Sequence, residues 1–175
     1  YSPYLITPKK EETTGYMLCF GSDPTEVMST GKMSYLYFLH TAMTSIDIAM
    51  PYFIVDGDFV NAMIYAAKRG VKVRLILPGI PDKKLINYVA KTYYKELLQN
   101  GISIYEYQKG FTHLKVMIKD NQEGIVGTIN LDYRSLYLHF EDAVLLYQTK
   151  ALQELTLDYE QMLMECEEIS LAKLE

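Results

Sequence analysis

SIDIAMPYFIVDGDFVNAMIYAAKRGVKVRLIL, residues 45–77, decides the fold. Ser45 to Met50 alternates as a strand does and stops at Pro51. Asp58 stands where a helix cap belongs, apolar residues recur at helical spacing as far as Lys68, Gly70 ends the run, and Val71 to Leu77 is again a strand. Strand, helix, strand is a crossover unit, which implies parallel pairing. Working outward, the loop Pro78-Gly79-Ile80-Pro81-Asp82 leads into a predicted helix from Lys83 to Gln99, closed by Gly101, and a strand from Ile102 to Tyr107. Upstream lie a strand from Tyr16 to Phe20, the stop Gly21-Ser22-Asp23-Pro24, and a helix from Lys32 to Met43 capped by Ser29 or Thr30. The last third changes character, with strands expected at His113–Lys119, Ile125–Thr128 and Leu138–Tyr147 without helices between them, and a final amphipathic helix from Ala151 to Glu168. The expectation is an α/β domain, a mixed and largely parallel sheet with helices on both faces, over residues 16–175. Residues 1–15, with Pro3, Pro8 and a run of charges, read as a linker or irregular arm.

With 175 residues, 49% of them hydrophobic and 22% charged, the chain has the material for one well-packed domain. Its net charge of -5 argues against non-specific nucleic-acid binding, which needs a basic field. Cys19 and Cys166 show neither paired nor metal-ligand spacing, so a reduced, intracellular setting is expected. No apolar run is long enough to span a bilayer, and the start Tyr1-Ser2-Pro3 leads us to expect a piece of something longer.

The chemistry concentrates at His113-Leu114-Lys115, Asp120 and Gly127-Thr128-Ile129-Asn130, which together fit H-x-K-x4-D-x6-G-[ST]-x-N. On a strand, residues two apart share a face, so His113 and Lys115 are expected to project together, with Leu114, Val116 and Ile118 turned to the core. Such a pair suits a phosphate. The ammonium neutralises non-bridging oxygens, Thr128 and Asn130 add neutral hydrogen bonds, and an imidazole of reference pKa near 6.5 can act as nucleophile or proton carrier without a metal. Asp120, seven residues from His113, falls on the other face and reads as structural. Glu141, in the later predicted strand Leu138–Tyr147, is the expected carboxylate partner that orients the histidine.

These residues resemble the HKD motif of the phospholipase D superfamily at every position. Pro51-Tyr52-Phe53-Ile54, Pro78-Gly79 with Pro81-Asp82-Lys83, Ile104-Tyr105-Glu106-Tyr107-Gln108 and Asn130-Leu131-Asp132-Tyr133-Arg134-Ser135 narrow the likeness to the C-terminal half of bacterial cardiolipin synthases, from about Tyr16 onward. The resemblance implies an α/β/α domain, transfer through phosphohistidine, His113, Lys115, Asp120, Asn130 and Glu141 as site residues, and no cofactor or metal. It further implies phosphatidylglycerol as substrate, cardiolipin as product, and action at the cytoplasmic face of the cell membrane. Such enzymes carry two HKD copies, whereas here His40 is followed by Thr41-Ala42 and His139 by Phe140-Glu141, so one copy is present. The other would come from a missing N-terminal half or from a second copy in a homodimer. Whether His113 is nucleophile or acid-base is left open by the sequence.

Beside this stand plainer readings. A phosphodiesterase of the same superfamily, or a pairing half-domain without activity of its own, would carry the same motif. His40 and His139 read as ordinary residues. Arg134 is either a holder of a second phosphate or a salt-bridge partner of Asp132. Leu136, Tyr137 and Phe140 read as core, with contact to a membrane surface as the alternative.

Overall fold

The computed structural model describes residues 14–174, so most of the arm expected at 1–15 lies outside the described residues. In chain order the elements are β1 (Tyr16–Ser22), α1 (Thr30–Thr41), β2 (Ser45–Ala49), β3 (Phe53–Ile54), α2 (Gly57–Lys68), β4 (Lys72–Pro78), α3 (Lys84–Thr92), α4 (Tyr94–Gln99) and β5 (Ser103–Tyr107). They continue with β6 (Val116–Lys119), β7 (Glu123–Gly127), β8 (Leu131–Asp132), α5 (Tyr133–Tyr137), β9 (Glu141–Tyr147), α6 (Lys150–Met164) and β10 (Cys166–Ile169).

Eight strands form one sheet in the order β1-β9-β7-β6-β2-β4-β5-β10. The expected mixed sheet with helices on both faces is present, but its parallel part is confined to β2, β4 and β5. These are the strands joined through helices. Every other neighbouring pair is antiparallel, and of these β6 and β7 are consecutive strands joined by a short turn closed by Gln122 N donating to Lys119 O (2.9 Å).

One face is packed under α1, α2 and the α3–α4 pair, through residues such as Phe38, Phe59, Met63, Tyr94 and Leu97. The other is covered by α6, whose Leu152 and Tyr159 meet Ile76, Val116 and Ile118. Asp47 and Arg74 are register partners on β2 and β4, and their buried pair (2.5 Å) extends to Glu160 of α6 (2.5 Å). That ion triad sets where α6 lies on the sheet. Two short strands, β3 and β8, pair in parallel through Phe53 with Leu131 and Ile54 with Asp132, and they carry the link from β2 and the link from β7 to one place.

Several boundaries differ from the sequence reading. Asp56, not Asp58, caps α2 by accepting from Phe59 N (3.0 Å). The helix predicted from Lys83 to Gln99 breaks at Tyr93, whose hydroxyl donates to Val55 O (2.9 Å) and whose ring meets Phe53 edge-on. No glycine or proline marks that break, because a tertiary contact makes it. The helix predicted to Glu168 ends at Met164, and Cys166–Ile169 becomes β10 because the free edge of β5 offers a ladder of backbone partners. The strand predicted from Leu138 begins only at Glu141, after the unforeseen α5, whose start is capped by Asp132 accepting from Ser135 N (2.9 Å).

Candidate active site

The chain runs without regular structure from residue 111 to Lys115 and enters β6 at Val116, where pairing with β2 begins opposite Ala49. β2 can carry the ladder no further toward Pro51, which lacks an N–H. His113 and Lys115 therefore precede the strand instead of standing on one exposed face of it. Lys115 is buried (8%), while His113 is exposed and Leu114, expected in the core, is 46% exposed. Both faces of β6 are core, Met117 on one side, Val116 and Ile118 on the other.

Lys115 Nζ donates to the His113 carbonyl (2.7 Å), a bond that holds the His113 backbone against the sheet. Burial lowers the pKa of Lys115, and the nearby Glu141 and Asp132 carboxylates offset this only in part. An ammonium held away from water in this way attracts an incoming anion more strongly than a solvated one does.

Glu141 is the hub of a chain of donors. Thr128 Oγ1 donates to one carboxylate oxygen in a very short contact. Ser135 Oγ donates to the other (2.7 Å) and itself accepts from Asn130 Nδ2 (3.0 Å). Gly127 precedes Thr128 of necessity: a Cβ there would stand 2.3 Å from Asp142 O. Asn130 Oδ1 is buried with no hydrogen-bond partner among the described residues. Such an orphan costs roughly 1–3 kcal/mol and needs a reason. The imidazole beside Glu141 is that of His139, with Nδ1 at 3.4 Å, and not that of His113. His113 instead lies against the rings of Phe111 (5.7 Å between centroids) and Tyr52 (6.4 Å), with no carboxylate in ion-pair contact among the described residues.

Tyr52 joins His113 to a cleft of about 320 Å³. Tyr52, Ile54, Ile86, Asn130, Arg134 and His139 are among the residues that line it. Tyr52 donates to Asp82 (2.7 Å), and burial together with that bond pushes its pKa up to about 12, which keeps it a phenol. Arg134 is exposed and has no ion pair among the described residues, since Asp132 is engaged as the α5 cap. Sequence reasoning missed Tyr52, His139 and the linking role of Ser135. The Asp132-x-x-Ser135 spacing of a helix cap was the available signal for the last.

Asp120 stands at the far end of β6 and outside this cluster. Its carboxylate accepts from the backbone N–H groups of Met43 (3.0 Å), Thr44 (2.7 Å) and Ser45 (2.9 Å) and from the Thr44 hydroxyl (2.8 Å). Asp120 and Asn121 take left-handed φ of 54° and 53°, which Asp and Asn tolerate in a turn. Burial alone would raise the Asp120 pKa, but the backbone donors outweigh it and the pKa is lowered. A lowered folded pKa contributes stability that is present above the unfolded value of about 3.9 and lost as pH falls through the folded value. Asp120→Asn should therefore cost about 1 kcal/mol at neutral pH, since the site is partly solvated and the amide oxygen can keep some of the bonds, and markedly less at about pH 3, read by urea unfolding at both. Equal losses at the two pH values would rule out the charged carboxylate as the cause.

Among the described residues, no group of three or more His, Cys, Asp or Glu side chains is gathered closely enough to hold a metal ion.

Residues 35–163 match a family described as the cardiolipin synthase PLD-like domain. The chain is 42% identical to cardiolipin synthase 2 of Bacillus anthracis over 91% of its own length and 31% of that protein's. It is 39% identical to the cardiolipin synthase of Geobacillus kaustophilus, over 90% of this chain and 31% of that one. The chain thus spans about a third of the length of these relatives. In fold it resembles the phospholipase D family member Nuc from Salmonella typhimurium, with a TM-score of 0.73 at 20% identity, covering 89% of this chain and 99% of that one.

Proposed function

Since the chain belongs to the cardiolipin synthase PLD-like domain family, we propose that it supplies one half of a phosphatidyltransferase site that joins two phosphatidylglycerol molecules and releases glycerol. The observation that carries this reading is the gathering of Lys115, Thr128, Asn130 and Glu141 at one end of the sheet, with His113 tied to Lys115 through its carbonyl. The second set of groups comes from a missing N-terminal HKD half or from a second copy of this chain, because the chain carries a single H-x-K motif.

In the first step one histidine of the paired site attacks phosphorus of the donor lipid, a P–N bond forms, and the P–O bond to the glycerol headgroup breaks. The other histidine gives its proton to the leaving alkoxide. It then removes a proton from the glycerol hydroxyl of the second phosphatidylglycerol, whose oxygen attacks phosphorus and releases the first histidine. His113 performs one of these roles and the partner's histidine the other. Lys115 balances charge on the non-bridging oxygens, the second N–H of Asn130 Nδ2 orients them, and Glu141, held by the hydroxyls of Thr128 and Ser135, is poised to take an imidazole N–H, so that Thr128 acts through that carboxylate. Arg134, unpaired on the cleft wall among the described residues, holds the phosphate of the acceptor lipid. The setting is the cytoplasmic face of the cell membrane, and no helix of the described residues is itself long and apolar enough to cross that membrane.

The test supplies labelled phosphatidylglycerol in mixed micelles to the paired protein and separates the lipids. Cardiolipin should dominate, because a bound alcohol outcompetes water when the site positions it. Arg134→Ala should lower cardiolipin formation by about tenfold, the scale of one lost charged hydrogen bond, while donor cleavage falls less and phosphatidic acid accumulates. Phosphatidic acid as the main product of the unaltered protein would replace this reading by a phosphodiesterase.

A further inference from the structure

Helix α3 is out of keeping with the other long helices. Its pattern is strongly amphipathic, yet Ala90 is its one buried residue, and Leu85 (74%) and Tyr88 (72%) stand in solvent one turn apart. Ile80, in the loop that leads to the helix, is 51% exposed. Across the cleft the same character recurs. Tyr133 (58%), Leu138 (59%) and Phe140 (76%) are exposed around Arg134 and His139. Leu136 is core and Tyr137 is tied to Lys32, so the apolar exposure on this side is selective.

Charge accompanies it. Lys83 and Lys84 begin α3, and Lys83 lines the cleft together with Arg134 of α5. None of the three has an ion pair among the described residues, in a chain whose net charge is -5. Asp82 and Asp132, hydrogen-bonded by the Tyr52 hydroxyl and the Ser135 N–H, keep their charge but form no ion pair with these cations, and three cations against two carboxylates leave the patch positive. Unpaired cations among exposed aromatic and aliphatic side chains are what an anionic lipid surface binds, the cations at the headgroups and the apolar groups at the acyl boundary.

We propose that the exposed face of α3, together with the Leu138–Phe140 segment, is the surface by which this chain sits on an anionic membrane. The cleft mouth then opens at headgroup level, and a lipid can reach it without leaving the bilayer. The inference rests on the lipid-transfer reading of the site and adds to it the direction from which lipid enters.

The test is co-sedimentation of the chain with phosphatidylcholine vesicles and with vesicles that also contain phosphatidylglycerol. The chain should bind the second kind and release as salt rises. The triple variant Lys84→Glu, Leu85→Ser, Tyr88→Ser alters no cleft-lining residue and should weaken binding at least about tenfold. Met43→Ser, equally exposed (81%) but beside Asp120 at the far end of β6, should bind as the unaltered chain does. Circular dichroism verifies that all remain folded. Unchanged binding by the triple variant, or no binding by the parent chain, overturns the proposal. So does a dimer that the triple variant dissociates without change in vesicle binding, since α3 would then cover a second copy. The assay needs no turnover. A protein that binds as stated yet makes no cardiolipin sinks the catalytic reading alone.

Discussion

In the intact protein, His113→Ala and His113→Asn remove lipid turnover, with a fall of at least about 10²- to 10⁴-fold, the worth of a single proton-transfer group and a lower bound if His113 is the nucleophile. The melting temperature stays nearly where it was. The His113 ring is exposed and lies against the rings of Phe111 and Tyr52, so substitution leaves no cavity and no unpaired partner. Surface changes of that kind fall within about 0.5 kcal/mol. Lys115→Ala is a less clean probe, since Lys115 is buried and bonded to the His113 carbonyl and its loss would disturb the site's backbone as well as its charge. The measurement is product formation from labelled lipid beside a thermal melt of each variant. Full activity in His113→Ala would end the assignment of the site.

The isolated chain, held monomeric, should turn over no lipid above background, and activity should appear only with a second HKD half or at concentrations where the chain dimerises. The physical ground is the separation of His113 from any carboxylate. Glu141, the buried acceptor built to hold an imidazole, has His139 beside it at 3.4 Å and leaves His113 without a positioning partner in its own chain. A site with one such imidazole lacks an entire acid-base step. Closed two-fold pairing would bring a second set of groups to each His113. Sedimentation velocity run beside the activity assay, across the same protein concentrations, tests this. Robust turnover by a species sedimenting as a monomer would refute the half-site argument.

The amino-acid sequence alone was sufficient for the alternation of the longer strands and helices through Tyr107 and for the helices on both faces, though not for the short strand β3 or the break between α3 and α4. Those features follow from local rules: strand alternation, a cap such as Ser29 accepting from Lys32 N (3.2 Å), and glycines of positive φ at Gly70 and Gly101 where helices end. What it could not determine is whatever depends on a partner distant in the chain. β6 starts at Val116 because β2 ends before Pro51, and that removes His113 from the strand on which alternation had placed it. β10 exists because β5 has a free edge, and a helical pattern near Cys166 yields to that ladder. Tyr93 interrupts a sound helical run because Val55 and Phe53 hold its ring and hydroxyl. The carboxylate of Glu141 met Ser135 and His139 instead of His113 because α5, capped by Asp132, folds between β8 and β9. A strand or helix signal extends over a few residues of chain, whereas pairing edges, interrupting contacts and site partners are set by which segments the tertiary structure brings within bonding distance.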